Sequence, residues 1–233
     1  MLKYPCLVLD HDDTTVNSTA TVHYPAFVEY MEKTHPDRML TLEEYFRYNF
    51  DPGVIPMFTE ICGLTQEEME AEEKFWNRYV QQHIPKAYPG IREIIGEQHR
   101  RGGKVCVVSH SFSENILRDY RENGLQEPDL IFGWECPPEQ RKPSVWPLEQ
   151  VMEAWHFRPE ELLVVDDLKP GYDMARKAGV PFAAAGWAND IQAIEQFMRK
   201  NCGLYFKTVP ELREYLFGEQ TEQLTTTEGG KSK

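Results

Sequence analysis

Three short apolar runs stand apart along this chain, and each stops abruptly at a polar residue: Cys6-Leu7-Val8-Leu9 at Asp10, Val105-Cys106-Val107-Val108 at Ser109, and Leu162-Leu163-Val164-Val165 at Asp166-Asp167. A run with no polar face needs cover on both sides, which a parallel sheet flanked by helices supplies. Open α/β sheets bind ligands beyond the carboxyl ends of their strands. Three strands of this kind would therefore bring Asp10, Ser109 and the Asp166-Asp167 pair to one edge.

Helical patterns alternate with these runs. Ile91, Ile94 and Ile95 predict a helix over Ile91–His99 that stops at Gly102-Gly103. Further helices are expected over Glu114–Asn123, Leu148–Trp155, Tyr172–Ala178 and Pro210–Phe217, and further strands at Leu130–Phe132, Phe182–Ala185 and Leu204–Phe206. The stretch 18–88 breaks the alternation, with helix-like segments at Pro25–Lys33, Leu42–Tyr48, Val54–Ile61 and Gln66–His83 and no convincing strand. The expected architecture is an α/β, Rossmann-like, doubly wound parallel sheet built from 1–17 and 89–218, with a helical insertion over 18–88 after the first strand. The polar tail 219–233 is expected to be disordered.

Composition narrows the function classes. The 233 residues carry a formal net charge of -13, so nucleic acid and anionic membranes are poor partners. No apolar run approaches a membrane span, and no signal peptide is evident before Asp10. Five widely spaced cysteines without a C-x-x-C pair read as buried thiols in a reducing cytoplasm. His11 and His110, lacking further nitrogen or sulfur partners, make a poor zinc set.

Taken singly, Asp10 and Asp12 suit a turn or helix cap, Ser109 a helix cap and Lys142 a solvated surface. Taken in order, Asp10-x-Asp12-x-Thr14, Ser109, Lys142-Pro143 and Asp166-Asp167 resemble the four motifs of the haloacid dehalogenase-like superfamily. The helical insertion resembles that superfamily's C1 cap, and the branch it resembles is that of phosphoglycolate phosphatase and β-phosphoglucomutase. The resemblance runs from about Leu7 to Phe217.

The resemblance implies a Mg²⁺-dependent phosphatase that acts on a small phosphorylated metabolite. Asp10 would be the nucleophile of an aspartyl-phosphate, and Asp12 would protonate the leaving alkoxide and then activate water. Asp12 also separates the chain from dehalogenase and phosphonate-cleaving members, which lack that acid. Carboxylates facing a phosphate need a counter-charge, because unit charges 4 Å apart repel by about 4 kcal/mol even at an effective dielectric of 20. A hard divalent cation suits oxygen ligands. The implied ligands are the Asp10 side chain, the Asp12 backbone carbonyl and Asp167, with Asp166 beside them or in Asp167's place. Thr14, Ser109, His110 and Lys142 would hold the phosphate. Ser111-Phe112-Ser113-Glu114 fits a capping box that would aim a helix N-terminus at it.

Three departures from the motifs are visible. Asp13 stands where Gly is frequent, His11 where an apolar residue is common, and the second Pro after Lys142 is displaced. His11 leaves the substrate class open. Within the insertion, Trp76, Tyr79, Phe46 and Tyr48 are expected in its core, Arg47 and Asn49 are candidate substrate contacts, and Glu67–Glu73 reads as a solvated helix face. A sugar-phosphate mutase is the alternative within the same chemistry. A phospho-acceptor signalling domain or a binding protein without turnover is the alternative outside it.

Overall fold

The computed structural model describes residues 2–218; the tail 219–233, expected to be disordered, lies outside the described residues. The first strand, β1 (Cys6–Leu9), is followed by a two-residue β2 (Val16–Asn17) and by the helices α1 (Tyr24–Thr34), α2 (Leu42–Phe50), α3 (Val54–Pro56) and α4 (Gln66–Gln82). A second short strand, β3 (Lys86–Ala87), closes this insertion by pairing antiparallel with β2. The expectation of no strand over 18–88 is corrected here, because two residues are too few to show a period.

The alternation then resumes with α5 (Ile91–Arg100), β4 (Lys104–Val108), α6 (Ser113–Glu122), β5 (Leu130–Phe132), α7 (Trp146–Trp155) and β6 (Leu162–Asp166). It ends with α8 (Lys169–Ala178), β7 (Phe182–Ala185), α9 (Gln192–Asn201), β8 (Leu204–Phe206) and α10 (Val209–Phe217). Helix boundaries fall within a few residues of expectation. The α-helix expected over Val54–Ile61 stops at Pro56, and α8 starts three residues early, with Pro170 in its first turn, a position that suits its missing N–H.

Six strands form one sheet in the order β5-β4-β1-β6-β7-β8, every pair parallel. The chain leaves β1 in one direction, returns, and continues from β6 in the other, so the order reverses beside β1. The four inner strands, β4, β1, β6 and β7, bury both faces, while the edge strands β5 and β8 are half-buried. Cys6 and Val8 pack with Leu148, Met174 and Ile194 from α7, α8 and α9. Leu7 and Leu9 pack with Ile94, Ile116 and Leu212 from α5, α6 and α10. Burying one such aliphatic side chain is worth about 1.5–3 kcal/mol, which is why unbroken apolar runs settle in this layer.

The insertion has its own core of Phe27, Met31, Tyr45, Met57 and Phe58. Thr41 and Thr65 start α2 and α4 through reciprocal capping boxes with Glu44 and Glu68. Phe46 and Phe50 leave that core and pack with the sheet's own cluster, Phe50 meeting Phe197 edge-on at 5.2 Å. Phe46 thus departs from its expected place. Three of the five cysteines (Cys6, Cys62 and Cys106) are buried, Cys136 and Cys202 are half-buried, and all are free thiols.

Candidate active site

Where the strand order reverses, β1 and β6 lie side by side, and both deliver acids. Asp10 follows β1, and its backbone N–H donates to Val165 O at 2.9 Å. Asp166 ends β6 and Asp167 follows it. Lys142, from the segment between β5 and α7, reaches between them: its Nζ lies 2.6 Å from Asp10 Oδ1 and 2.7 Å from Asp166 Oδ2. All three are buried. Burial pushes the Asp10 carboxyl up to about 7, with Asp166 and Asp12 adding to the shift and Lys142 opposing it. Burial alone would lower Lys142, but its two carboxylate partners override that and keep it charged.

Asp167 is held well above the usual carboxylate range by burial and by Asp13, Asp10 and Asp166. One carboxylate oxygen each from Asp10, Asp166 and Asp167 lies within 4.8 Å of the others. Three buried acids around one lysine leave negative charge in excess, and oxygen ligands so grouped fit a hard divalent cation. Thr14 is fully buried and donates to Asp167 Oδ1 at 3.2 Å, so here it braces a carboxylate behind the cleft.

Asp12 faces a different set. Its Oδ1 lies 2.8 Å from His23 Nε2, and its Oδ2 accepts from Ser111 Oγ at 2.6 Å and Ser109 Oγ at 3.5 Å. Burial would raise this carboxyl, but the pull and hydrogen bond of His23, with His11 and Ser111, hold it well below the usual range. Burial lowers His23, and Asp12 outweighs that to raise it. Trp76 Nε1 meets the ring's other nitrogen, Nδ1, at 3.0 Å. An indole N–H only donates, so Nδ1 accepts and the ring proton sits on Nε2, aimed at Asp12. A second proton would break the Trp76 bond, and that directional contact decides the resting tautomer.

Ser111 does not form the expected capping box. Helix α6 starts at Ser113 with Phe112 as its cap and no side-chain cap bond. The Ser111 hydroxyl is spent on Asp12 instead, and Ser113 N–H turns to Glu135. Asp13 explains its own departure: its φ of 58° lies in the left-handed region, and its carboxylate accepts from Thr19 N–H at 3.0 Å. Asp tolerates that conformation better than most residues, so the turn survives without Gly.

The two carboxylate groups open into one cleft of about 310 Å³ between sheet and insertion. Asp10, Asp12, Ser109, His110 and Lys142 line it; Asp166, Asp167 and Thr14 lie behind. Burial pushes His110 down to about 4, Lys142 adding to the effect, and its Nε2 donates to Lys142 O at 3.1 Å. His11 points away from the cleft and pairs with Asp119 at 3.0 Å, which ends its candidacy as a substrate contact.

From the insertion come Phe46, Asn49, Glu72 and Trp76; Arg47 is not among the lining residues. Glu72, expected on a solvated face, is 7% exposed, and its carboxyl is pushed up to about 7 by burial and by Glu73. Sequence reasoning missed His23, Ser111 and Glu72 as site residues. It also missed Gly171, where a Cβ would collide with the Asp166 carboxylate. The Gly beside Pro170 was its only signal.

A family model for haloacid dehalogenase-like hydrolases matches residues 7–185. Pyrophosphatase PpaX of Halalkalibacterium halodurans is 25% identical over 187 residues, covering 78% of this chain and 83% of that one. A predicted phosphoglycolate phosphatase from Haemophilus somnus superposes with a TM-score of 0.76 at 15% identity, over 92% of this chain and 99% of that one. A haloacid dehalogenase-like hydrolase from Bacteroides fragilis gives 0.74 at 19%, over 90% and 100%. At such identities the solved structures speak for the fold.

Proposed function

Because the chain belongs to the haloacid dehalogenase-like hydrolase family, we propose that it is a phosphatase that cleaves a small phosphate monoester through a phosphorylated Asp10. The observation that carries this reading is the pairing of two unlike carboxylates in one cleft. Asp10 is fixed by Lys142 at 2.6 Å, and Asp12 is fixed by His23 at 2.8 Å. Two acids held by separate partners can take separate roles.

In the first step an Asp10 oxygen attacks phosphorus, the phosphorus–ester oxygen bond breaks, and the leaving alkoxide takes a proton from Asp12. In the second, water attacks the aspartyl-phosphate, gives a proton to Asp12, and releases phosphate and the free Asp10 carboxylate. Asp12 ends as it began. Its lowered pKa keeps it ionised once the alkoxide has left, so it is free to take the proton that water gives up in the second step. For the first, the incoming phosphate's negative charge lifts that pKa and loads the proton. Lys142 orients Asp10 and spreads positive charge toward the transferring group, while Ser109 and His110 border the same space.

Asp10 and Asp167, with the Asp12 main-chain carbonyl, are the proposed ligands of Mg²⁺, and Asp166 lies alongside. When bound, the ion supplies the positive charge that a phosphate dianion needs beside carboxylates. The insertion 18–88 acts as a cap that covers the cleft and keeps out bulk water. Five free thiols support a reducing compartment, the cytoplasm, as the place of action. Among the described residues no helix is long and apolar enough to cross a membrane.

The test is release of phosphate from p-nitrophenyl phosphate with added Mg²⁺. The wild type should turn over, and Asp10→Asn should lose at least about 10³-fold while keeping its circular-dichroism spectrum and melting temperature. Undiminished turnover by that variant would reject the role given to Asp10.

A further inference from the structure

The charge balance of the cleft is one-sided. Lys142 is the only lysine or arginine among the lining residues, and Asp10 and Asp166 already engage it. His23 has both ring nitrogens committed, one to Asp12 and one to Trp76. Against these stand three glutamates from α4, Glu70, Glu72 and Glu73. Glu73 is occupied, accepting from Trp134 Nε1 at 3.3 Å across the cleft. Glu72 is different. It is more than nine-tenths buried, faces the cleft, and among the described residues has no hydrogen-bond or ion-pair partner; its nearest charged influences are Glu73 and His23.

Without a partner this carboxyl holds a proton to higher pH than usual, and a cation entering the cleft would be a partner for its charged form. A second anionic group on the substrate would face this carboxylate with no cation to meet it. The cleft that Glu72 lines also carries four aromatic side chains, Phe46, Phe58, Trp76 and Trp134. Aromatic faces attract organic cations, and they attract them more strongly away from water.

We propose that the substrate is a phosphomonoester whose leaving alcohol carries an ammonium group, with the phosphate at Asp10 and the ammonium at Glu72 between aromatic walls. This rests on the phosphatase reading and goes beyond it by naming the charge of the leaving group. It sets the chain apart from its relatives named for pyrophosphate and phosphoglycolate, whose leaving groups are anions.

The experiment measures kcat/KM with added Mg²⁺ for phosphoethanolamine, phosphocholine, propyl phosphate, phosphoglycolate, pyrophosphate and p-nitrophenyl phosphate. The wild type should prefer phosphoethanolamine or phosphocholine over uncharged propyl phosphate by at least about tenfold. Phosphoglycolate and pyrophosphate should be the poorest. In Glu72→Gln the ammonium-to-propyl ratio should fall to within about twofold of one. Taking that ratio within a single enzyme cancels any loss of folded protein. A wild-type ratio near one, a preference for the anionic substrates, or an unchanged ratio in Glu72→Gln overturns the inference while turnover of p-nitrophenyl phosphate leaves the phosphatase reading standing. If p-nitrophenyl phosphate is also inert, the phosphatase reading fails, and this inference falls with it.

Discussion

At the scale of single residues, the site divides its acids by the company they keep. Asp10, Asp166 and Asp167 crowd together, whereas Asp12 stands apart with two hydroxyls and an imidazole. Removing His23 removes the group that most depresses Asp12. His23→Ala should therefore move the Asp12-governed limb of the kcat/KM profile to higher pH, and an unmoved limb in a pH–rate titration would refute the assignment. Glu72 allows a stability prediction with a definite sign. Its folded pKa, about 7, lies above its ordinary 4.5, so the folded protein keeps this proton to higher pH than the unfolded chain. Stability is thereby lost as pH rises from about 4.5 through 7. Glu72→Gln should be the more stable protein at pH 8, by roughly 1–3 kcal/mol, with the gap closing near pH 4 in urea titrations.

At the scale of elements, strand ends and helix starts carry different amounts of information. Asp10, Ser109 and Asp166-Asp167 were legible because an apolar run that halts at a polar residue marks a strand's carboxyl end. His23, Trp76 and Glu72 were not, because they reach the cleft from the insertion. There an amphipathic period tells which side is buried and not what it is buried against. The Glu67–Glu73 run shows the limit: its composition reads as solvated, yet helix docking turns Glu72 inward. Ser111 was misread for a related reason, since a hydroxyl near a helix start can accept from a backbone N–H as a cap or donate to a carboxylate, and only the fold brings Asp12 within reach. Helix α8 supplies a further prediction. Gly171→Ala in its first turn sets a methyl against the Asp166 carboxylate, so phosphatase turnover should fall at least about tenfold and stability by about 1–3 kcal/mol. Wild-type kinetics and melting in that variant would show that Asp166 has room to move.

At the scale of the whole molecule, the proposed Mg²⁺ site at the buried acids would tie catalysis to metal binding. A ligand that binds only the folded state stabilises it by about 2.7 kcal/mol at a concentration one hundred times its dissociation constant. Chelation of divalent ions should thus abolish turnover and also lower the melting temperature, and Mg²⁺ should restore both. Asp167→Asn should lose the Mg²⁺-dependent rise in melting temperature, a readout independent of activity. The fold class, the strand ends and the gathering of Asp10, Asp12, Ser109, Lys142 and Asp167 in one region were readable from order along the chain. Buried strands must be apolar throughout, and phosphoryl chemistry admits few side-chain types. What the chain order could not carry was the meeting of insertion and sheet. The bond of His23 to Asp12 and the burial of Glu72 in the cleft are set by how insertion and sheet dock, and the diversion of Ser111 to Asp12 by a long-range contact within the sheet unit; such pairings between residues far apart in sequence leave no periodic mark in either.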